Sequence, residues 1–428
     1  MTTLRPSSTA IRRLRVERLG EEGEGVGRLE GVDVHVPGAF PGEEVEVRIE
    51  AVSRHHPRAH ARLVSIVTPH PLRRESPCPR DVARGGRCTG CPLSGLAIDA
   101  QREAHRATLE ARYGIRVDAV IGARELGYRF ASKRIAFDAR EGIDFGSYVR
   151  GSHRPASMEG CLVEHPRIEE AVAELRAEAR ARGIRAAGGV LEGVWVKTDG
   201  ERVLLTLLGA TPPDATLRAL AGALVKSQGV HHSRRVAGSD ALRGQTLERL
   251  AGIDAIEIEL EGVRRATGPL GFLQPNPEVA SLAYRALVAG EARGRLAFDL
   301  YAGAGVTTEL LRRRFERVVP CESFPESAAA LGVPPKTAED FLREALARGD
   351  RPELVVANPP RGGMGATVTE ALLSLDPSEI RVMSCSAKTL ARDLAVLERR
   401  FARVSVEAFD TLPQTGHLEL VAVLRRRG

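Results

Sequence analysis

Long apolar runs are missing from this sequence. Of its 428 residues, 43% are hydrophobic and 28% are charged, but no apolar stretch is long enough to span a bilayer. We therefore predict no membrane span and no membrane partner. The first ten residues are polar, and no apolar stretch separates them from the charged residues 12–18. This argues against a signal peptide and predicts a cytoplasmic location.

Lysine is also scarce. Only five of the 62 basic residues are lysines, and the formal net charge is +6 with a pI near 9.2. A polyanionic partner such as nucleic acid fits this balance. Coding composition explains an excess of arginine over lysine equally well, so both explanations stay open. The six cysteines of a cytoplasmic chain are not expected to form disulfides, because that compartment is reducing.

A chain of this length exceeds what one hydrophobic core organises, so we predict several domains. Residues 1–68 alternate as short strands at 14–19, 32–36, 45–49 and 59–66, between glycine-rich turns at 20–27 and 37–42. This pattern is typical of a small, OB-like five-stranded β-barrel that binds single-stranded nucleic acid. A purely structural barrel is the alternative, since Phe40 is the one aromatic residue of the segment.

The rest of the chain divides into two further predicted domains. Residues 69–268 mix strands and helices, including an amphipathic stretch at 166–183, and predict a central α+β domain. From residue 269 onward, strand-like runs alternate with helical ones, at 296–300, 318–322, 354–357, 380–384 and 418–424. Such alternation predicts a C-terminal doubly wound α/β (Rossmann-like) domain over residues 269–428.

Four cysteines form a candidate metal site. Cys78, Cys88 and Cys91 lie in the loop-rich segment PCPRDVARGGRCTGCP, and Cys161 follows beyond a strand-containing region. Thiolates suit iron–sulfur clusters and zinc equally well, so the spacing does not choose the metal. Unligated surface cysteines are the alternative, although C-x-x-C beside glycine and proline is typical of a metal-binding loop.

A candidate cofactor site lies in the segment FDLYAGAGVTTELL. An apolar strand ends there, a glycine turn follows at residues 303–305, and a helix is predicted from about Thr307. Glycines let a ligand approach the backbone at the start of a helix. Glu322, at the end of the next strand run, can accept hydrogen bonds from ribose hydroxyls. The alternative is a dinucleotide-binding turn, but its third glycine is replaced by Thr308.

A candidate nucleophile is Cys385, directly after one predicted strand and before a helix whose N-terminus is expected to favour the thiolate. Asn358 and the following Pro-Pro-Arg end another strand, and His417 and Glu419 begin the last one. Three polar loops therefore converge at one edge of the sheet. A lone cysteine is more often a buried apolar residue, and only this convergence favours catalysis.

The chain resembles the RNA (uracil-5-)-methyltransferase family over nearly its full length. The segment GEGVGRLEGVDVHVPGAFPGE is similar to the TRAM signature, and CTGCPLSGL is similar to the cluster loop of an iron–sulfur subgroup. The segments LGYRFASKR and GCLVEHPRI resemble the central domain. The catalytic motifs follow in the family's order: GFLQPNP, DLYAGAG, CES, NPPRGG, SCSAKTLARD and DTLPQTGHLE.

The resemblance implies an S-adenosylmethionine-dependent enzyme that methylates C5 of a uridine. Cys385 would add to C6 of the base, and Glu419 would remove the C5 proton before the thiol leaves. The cofactor site would be lined by Gln274, Tyr301, Val306, Glu322 and Asn358. The four cysteines at 78, 88, 91 and 161 would hold a four-iron, four-sulfur (4Fe-4S) cluster, with zinc as the alternative.

Several positions depart from the family pattern. The nucleophile motif has Val382 for a tyrosine and continues as Ser386 and Ala387 instead of Asn-Pro. A non-catalytic RNA-binding protein that kept the fold is therefore an alternative, as is a small-molecule or cytosine methyltransferase. The expected substrate is a single-stranded or loop region of RNA, since the target base must flip out of its stack. Ribosomal RNA is the predicted target, transfer RNA the alternative, and a monomer is expected.

Overall fold

The computed structural model describes residues 10–53, 55–235, 242, 244–290 and 293–428. Residues 1–9, which entered the argument against a signal peptide, lie outside this part. The chain begins with a closed five-stranded barrel in the order β1-β2-β3-β5-β4, which confirms the predicted barrel. Its strands are β1 (Arg12–Leu19), β2 (Gly25–Leu29), β3 (Val32–Val36), β4 (Glu44–Val52) and β5 (Arg58–Thr68).

A turn does follow β1, but the predicted glycine-rich turn at residues 20–27 extends too far, because β2 already begins at Gly25. The reason is close packing between strands. A Cβ added at Gly25 would lie 2.5 Å from the carbonyl oxygen of Ala39, and one at Gly27 would lie 2.1 Å from that of Arg15. Glycine is needed at both positions because neighbouring backbone occupies the space of a side chain.

A helix and a short strand, α1 (Ile98–Tyr113) and β6 (Val120–Ile121), lead into the central part of the chain. There, seven strands form a mixed sheet in the order β13-β12-β11-β10-β7-β8-β9, with two helices packed on one face. The elements are β7 (Ala131–Ala139), β8 (Gly142–Tyr148), β9 (Pro155–Ser157), α2 (Pro166–Ala181), β10 (Gly193–Thr198), β11 (Val203–Gly209), α3 (Ala215–Ala223), β12 (Gly229–Arg234) and β13 (Glu248–Gly252).

Helix α2 confirms the predicted amphipathic helix. Pro166 lies in its first turn, where a missing amide hydrogen costs no helical hydrogen bond. Ile168, Val172 and Leu175 are fully buried against the central sheet. The helical spacing of these residues therefore gives the central domain one side of its core.

A hairpin of β14 (Ile256–Leu260) and β15 (Val263–Thr267) precedes the C-terminal sheet. That sheet has the order β17-β16-β18-β19-β21-β20-β6 and confirms the predicted doubly wound α/β fold. Its elements are α4 (Pro277–Val288), β16 (Gly294–Leu300), α5 (Val306–Arg312), β17 (Phe315–Cys321), α6 (Pro325–Ala330), α7 (Ala338–Arg348), β18 (Leu354–Ala357), α8 (Gly365–Leu375), β19 (Glu379–Ser384), α9 (Ala387–Leu397), β20 (Phe401–Phe409) and β21 (Glu419–Arg426).

Two elements of the region 69–268 join the C-terminal part. Strand β6 pairs in parallel with β20, and the hairpin β14–β15 packs against α4 and α5. The domain boundaries at residues 68 and 268 stay predictions. Within the described residues, no helix combines the length and the apolarity that crossing a bilayer requires.

The register of the C-terminal sheet brings the candidate site together. Strands β16, β18 and β19 run parallel, so their carboxyl ends share one edge. Strand β21 runs antiparallel to β19 with Ser384 opposite Leu420, and its amino end lies at this same edge. Cys385 follows Ser384 and Glu419 precedes Leu420, so the two candidate catalytic residues are neighbours at the same end of this strand pair.

Candidate active site

Cys385 lies between the end of β19 and the start of α9. Ser386 caps that helix, and its hydroxyl accepts a hydrogen bond from the Thr389 amide at 3.3 Å. The thiol is partly buried, and burial raises its pKa, with a further increase from the carboxylate of Glu419. Desolvation and the nearby negative charge oppose the expected effect of the helix N-terminus, and the net shift of the thiol pKa is upward.

Arg361 is the positive charge that opposes this effect. The positive charge of its guanidinium lies close to the Cys385 thiol and lowers the pKa of that group. The same guanidinium lowers the pKa of Glu419. The sequence placed Arg361 at the sheet edge but gave it no role. Because the two groups follow different strands, only the fold shows that one side chain serves both.

Glu419 is partly buried, and desolvation raises the pKa of its carboxyl group to about 7. A carboxylate with such a pKa is divided between its ionised and protonated forms near neutral pH. It can therefore both take up and release a proton under physiological conditions. Glu419 therefore places a group that can accept a proton next to the Cys385 thiol.

A cavity of about 210 Å³ opens beside Cys385, with walls from three parts of the chain. The barrel supplies the turn between β1 and β2, helix α1 supplies its last turns, and the loop before β21 supplies His417. The turn and the loop are in close contact, since a Cβ at Gly416 would lie 2.5 Å from the Gly23 amide nitrogen. The barrel is thus part of the wall of the candidate active site.

The predicted cofactor turn has open space on one side. Gly303 has a φ of +54°, and a Cβ added there would meet nothing within 4 Å. The Glu322 carboxylate accepts hydrogen bonds from the backbone amides of Gly303 at 2.8 Å and of Phe324 at 2.7 Å. These bonds fix the carboxylate at the rim of the turn, with lone pairs left for other donors.

A second carboxylate lies below this turn. Asp299 is fully buried on β16, and burial raises its pKa to about 7, while the Thr308 hydroxyl donates to it at 2.5 Å. Arg265 of the hairpin donates to the carbonyl oxygens of Ala304 at 2.9 Å and Gly305 at 3.1 Å. Sequence reasoning missed Arg265, because nothing in its local sequence connects it with a turn about forty residues later.

The other predicted cofactor residues lie around the same edge. Tyr301 follows β16 with a φ of +59°, and Val306 is the buried first residue of α5. Asn358 follows β18, and its backbone amide donates to the Leu300 carbonyl oxygen at 3.2 Å. Gln274 lies in the loop before α4, where its side-chain amide approaches the Tyr284 hydroxyl at 3.4 Å. Their roles stay predictions.

Cys78, Cys88, Cys91 and Cys161 line one small cavity of about 30 Å³ together with Gln414. Burial raises the pKa of the Cys91 thiol to about 12, and the pKa of the Cys161 thiol is raised by the same cause. Across the described ranges, no group of three or more His, Cys, Asp or Glu side chains is placed to hold a single metal ion. The predicted cluster stays a prediction.

Comparison with known proteins agrees with this architecture. Residues 10–62 match the TRAM domain model. An uncharacterized RNA methyltransferase of Gloeobacter violaceus is 30% identical over 96% of this chain and 95% of its own length. Another from Halalkalibacterium halodurans is 27% identical over 96% of this chain and 95% of its own.

The tRNA (uracil-54, C5)-methyltransferase of Pyrococcus abyssi, solved in complex with S-adenosyl-L-homocysteine, has the same fold. The two structures superimpose with a TM-score of 0.75 at 23% sequence identity, and the match covers 96% of this chain and 100% of the Pyrococcus abyssi chain. A TRAM barrel joined to an α/β domain of this kind defines the class as a multidomain RNA methyltransferase. The chain belongs to the family of RNA methyltransferases.

Proposed function

We propose that this protein transfers a methyl group from S-adenosylmethionine to C5 of a uridine in RNA, through a covalent adduct between Cys385 and C6 of the base. The observation that carries the proposal is the placement of Cys385 and Glu419 at the paired ends of β19 and β21, with Arg361 acting on both and Cys385 lining a cavity. Uracil C5 is a weak nucleophile, and addition of a thiolate to C6 makes it reactive.

The steps follow from the chemistry of these side chains. The Cys385 thiolate forms a bond to C6, and the electron pair of the C5–C6 double bond becomes available at C5. S-adenosylmethionine, when bound, would supply the electrophilic methyl group that C5 takes up, and the electron pair of the broken S–CH3 bond would stay on its sulfur as a thioether. Glu419 then accepts the C5 proton, the C5–C6 double bond forms again, and the sulfur leaves C6 as a thiolate. Arg361 stabilises the thiolate at the start and at the end.

The turn at residues 303–305 fits the proposed cofactor. Its open side leaves room for a ligand close to the backbone, and the Glu322 carboxylate is oriented to accept hydrogen bonds from ribose hydroxyls. Val306 offers an apolar contact at the start of α5. Asn358 has an amide that can accept from N3–H of uracil and donate to O4, which a carboxylate could not do unless protonated.

Single-stranded or loop RNA is the proposed substrate, with ribosomal RNA as target and transfer RNA as the alternative. A base inside a duplex cannot reach Cys385, so it must flip into the cavity. The barrel forms part of the wall of that cavity, which supports contact with the flanking nucleotides. We further propose that the protein acts as a cytoplasmic monomer.

The four cysteines are proposed to hold a 4Fe-4S cluster, which would fold and position the central domain. Their thiols meet at one cavity, and a cluster of several atoms separates its ligands more widely than a single ion does. Iron and acid-labile sulfide in protein purified without oxygen would support the cluster, with Cys161→Ser as the comparison. Zinc or no metal in that protein would contradict it.

The departures in the nucleophile motif do not remove groups from the site. Val382 is buried in the core of the C-terminal sheet, and Ser386 replaces an asparagine as helix cap. Both substitutions concern the scaffold, whereas Cys385 and Glu419 are retained. A non-catalytic RNA-binding protein has no chemical need for this pair.

The test uses RNA that contains 5-fluorouridine, together with S-adenosylmethionine. Fluorine cannot leave C5 as a proton, so an active enzyme is trapped as a methylated protein–RNA adduct that survives a denaturing gel. Cys385→Ala should give no adduct, and peptide mass spectrometry should locate the bond at residue 385 in the unmodified protein. Absence of an adduct with RNA pools from the native host would favour the binding-protein alternative.

A further inference from the structure

The loop between β20 and β21, residues 410–418, leads directly into Glu419, the first residue of β21. Its conformation is not one that the local sequence prefers. Gln414 has a φ of +73°, in the left-handed region that residues other than glycine rarely adopt. Such a conformation persists only when surrounding contacts hold it. The contacts of this loop therefore help to fix the start of β21, together with the pairing of Glu419 in the sheet.

Gln101 of α1 forms the central contact. Its side-chain carbonyl accepts from the Gln414 backbone amide at 3.0 Å, and its side-chain amide donates to the Gln414 side-chain oxygen at 2.8 Å. The Gln414 carbonyl in turn accepts from the Leu93 amide at 3.0 Å, and Glu125 accepts from the Gln414 side-chain amide at 3.2 Å. The left-handed residue is thus held on its amide, its carbonyl and its side chain.

The residues on both sides of Gln414 are held as well. The Tyr128 hydroxyl donates to the Pro413 carbonyl at 2.9 Å. The Nε2 atom of His105 lies 3.0 Å from the Thr415 carbonyl oxygen, which can only accept, so Nε2 carries the hydrogen. Burial lowers the pKa of His105 to about 4, and the ring therefore makes this contact in its neutral form.

We infer that Gln101, His105 and Tyr128 are positioning residues for the general base. Gln101 and His105 are four residues apart on α1 and so lie on one face of the helix. Together with Tyr128 they bind three consecutive residues of the loop, 413–415, four residues before Glu419. The inference rests on the proposed function, because it assigns their effect to the step that Glu419 carries out.

That step is the removal of the C5 proton from the methylated adduct. The proton passes to the Glu419 carboxylate, the C5–C6 double bond forms, and the bond from C6 to the Cys385 sulfur breaks. A displaced carboxylate slows this elimination, since proton transfer requires hydrogen-bond distance. Addition of the thiol and methyl transfer do not use Glu419, so the methylated adduct should accumulate.

The experiment compares Gln101→Met and Tyr128→Phe with the unmodified protein. Neither side chain lines the cavity beside Cys385, so neither change removes a substrate contact. Ordinary uridine RNA and S-adenosylmethionine with a labelled methyl group are mixed, quenched at set times and separated on denaturing gels. Label in the protein–RNA band measures the adduct, and label in free RNA measures the product.

We expect Tyr128→Phe, which loses one hydrogen bond, to slow elimination roughly fivefold. Gln101→Met loses several hydrogen bonds, and we expect it to slow elimination roughly tenfold or more. In both variants the rate of methyl transfer to the adduct should stay within about twofold of the rate in the unmodified protein. A twofold change is well below the effect of losing one hydrogen bond. The control is Ile168→Val in α2, a buried change in the core of the central domain that lowers stability to a similar degree. It should leave the ratio of adduct to product unchanged.

The outcomes separate the two claims. If the unmodified protein forms neither product nor a trapped adduct with fluorinated RNA, the proposed function itself fails. If it is active and Tyr128→Phe accumulates labelled adduct, the positioning role is supported. If it is active and both folded variants lose methyl transfer and elimination in equal proportion, or lose neither, the positioning role is wrong. A Gln101→Met protein that does not fold leaves Tyr128→Phe to decide.

Discussion

Replacing Arg361 with methionine should change the pH dependence of the turnover number more than it changes the maximum turnover number. Arg361 lowers the pKa of both Cys385 and Glu419, and its removal leaves burial as the dominant influence on each. Methionine keeps much of the side-chain length without the charge. The exposed guanidinium is partly screened by solvent, so we expect a rise of about one unit in the pKa of Glu419.

The magnitude follows from the pKa of about 7 for the Glu419 carboxyl group. At pH 7 about half of this group is ionised, and a pKa of about 8 would leave about a tenth. Elimination should then slow about fivefold at pH 7 and recover almost fully at pH 9. The pKa of Cys385 should rise as well, so addition to C6 should also slow at neutral pH and recover at higher pH.

The assay is the turnover number from pH 6 to pH 9 at saturating RNA, so that weaker RNA binding does not enter. Arg361→Lys is the matched control, because it keeps a positive charge at this position. Its pH profile should lie close to that of the unmodified protein. A loss in Arg361→Met that is the same at every pH would refute the reasoning, since it would show that the guanidinium acts in some way other than on the two pKa values.

Three further changes test the scaffold. The pKa of Asp299 is raised to about 7, so its contribution to stability is present at low pH and is lost as pH rises through about 7. Asp299→Asn should remove this loss, and urea titrations should show its stability relative to the unmodified protein rising by about 2 kcal/mol between pH 5 and 8. Gly305 has a φ of +77°, and a Cβ there would lie 2.4 Å from the Cδ2 atom of Leu331. Gly305→Ala should therefore distort the cofactor turn and weaken the binding of S-adenosylhomocysteine about fivefold, as measured by calorimetry. Lys197 donates to the carbonyl oxygens of residues 268, 269 and 271. Lys197→Met should therefore lower the free energy of unfolding by about 3 kcal/mol in the same titrations. Unchanged stability would show that water replaces the ammonium group.

The elements that the sequence predicts well are those with a clear apolar pattern. Strand β18 has the predicted bounds, and α5 begins one residue before the predicted Thr307. The sequence analysis missed β6 and β20. Strand β6 has only two residues and is recognisable only from its pairing with β20. Strand β20 alternates apolar residues with Arg403, Ser405 and Glu407, which is typical of a strand with one exposed face, and the sequence analysis overlooked this pattern.

The sequence by itself determined the chemical groups of the candidate site and the order of the domains. The barrel, the glycine turn and the positions of Cys385 and Glu419 follow from residue types and local spacing. Which groups meet was decided by the tertiary structure. The antiparallel register of β19 and β21 places the thiol beside the carboxylate, and a loop from a third strand brings Arg361 to both. Long-range pairing and burial set these distances and pKa values, and no local sequence pattern contains that information.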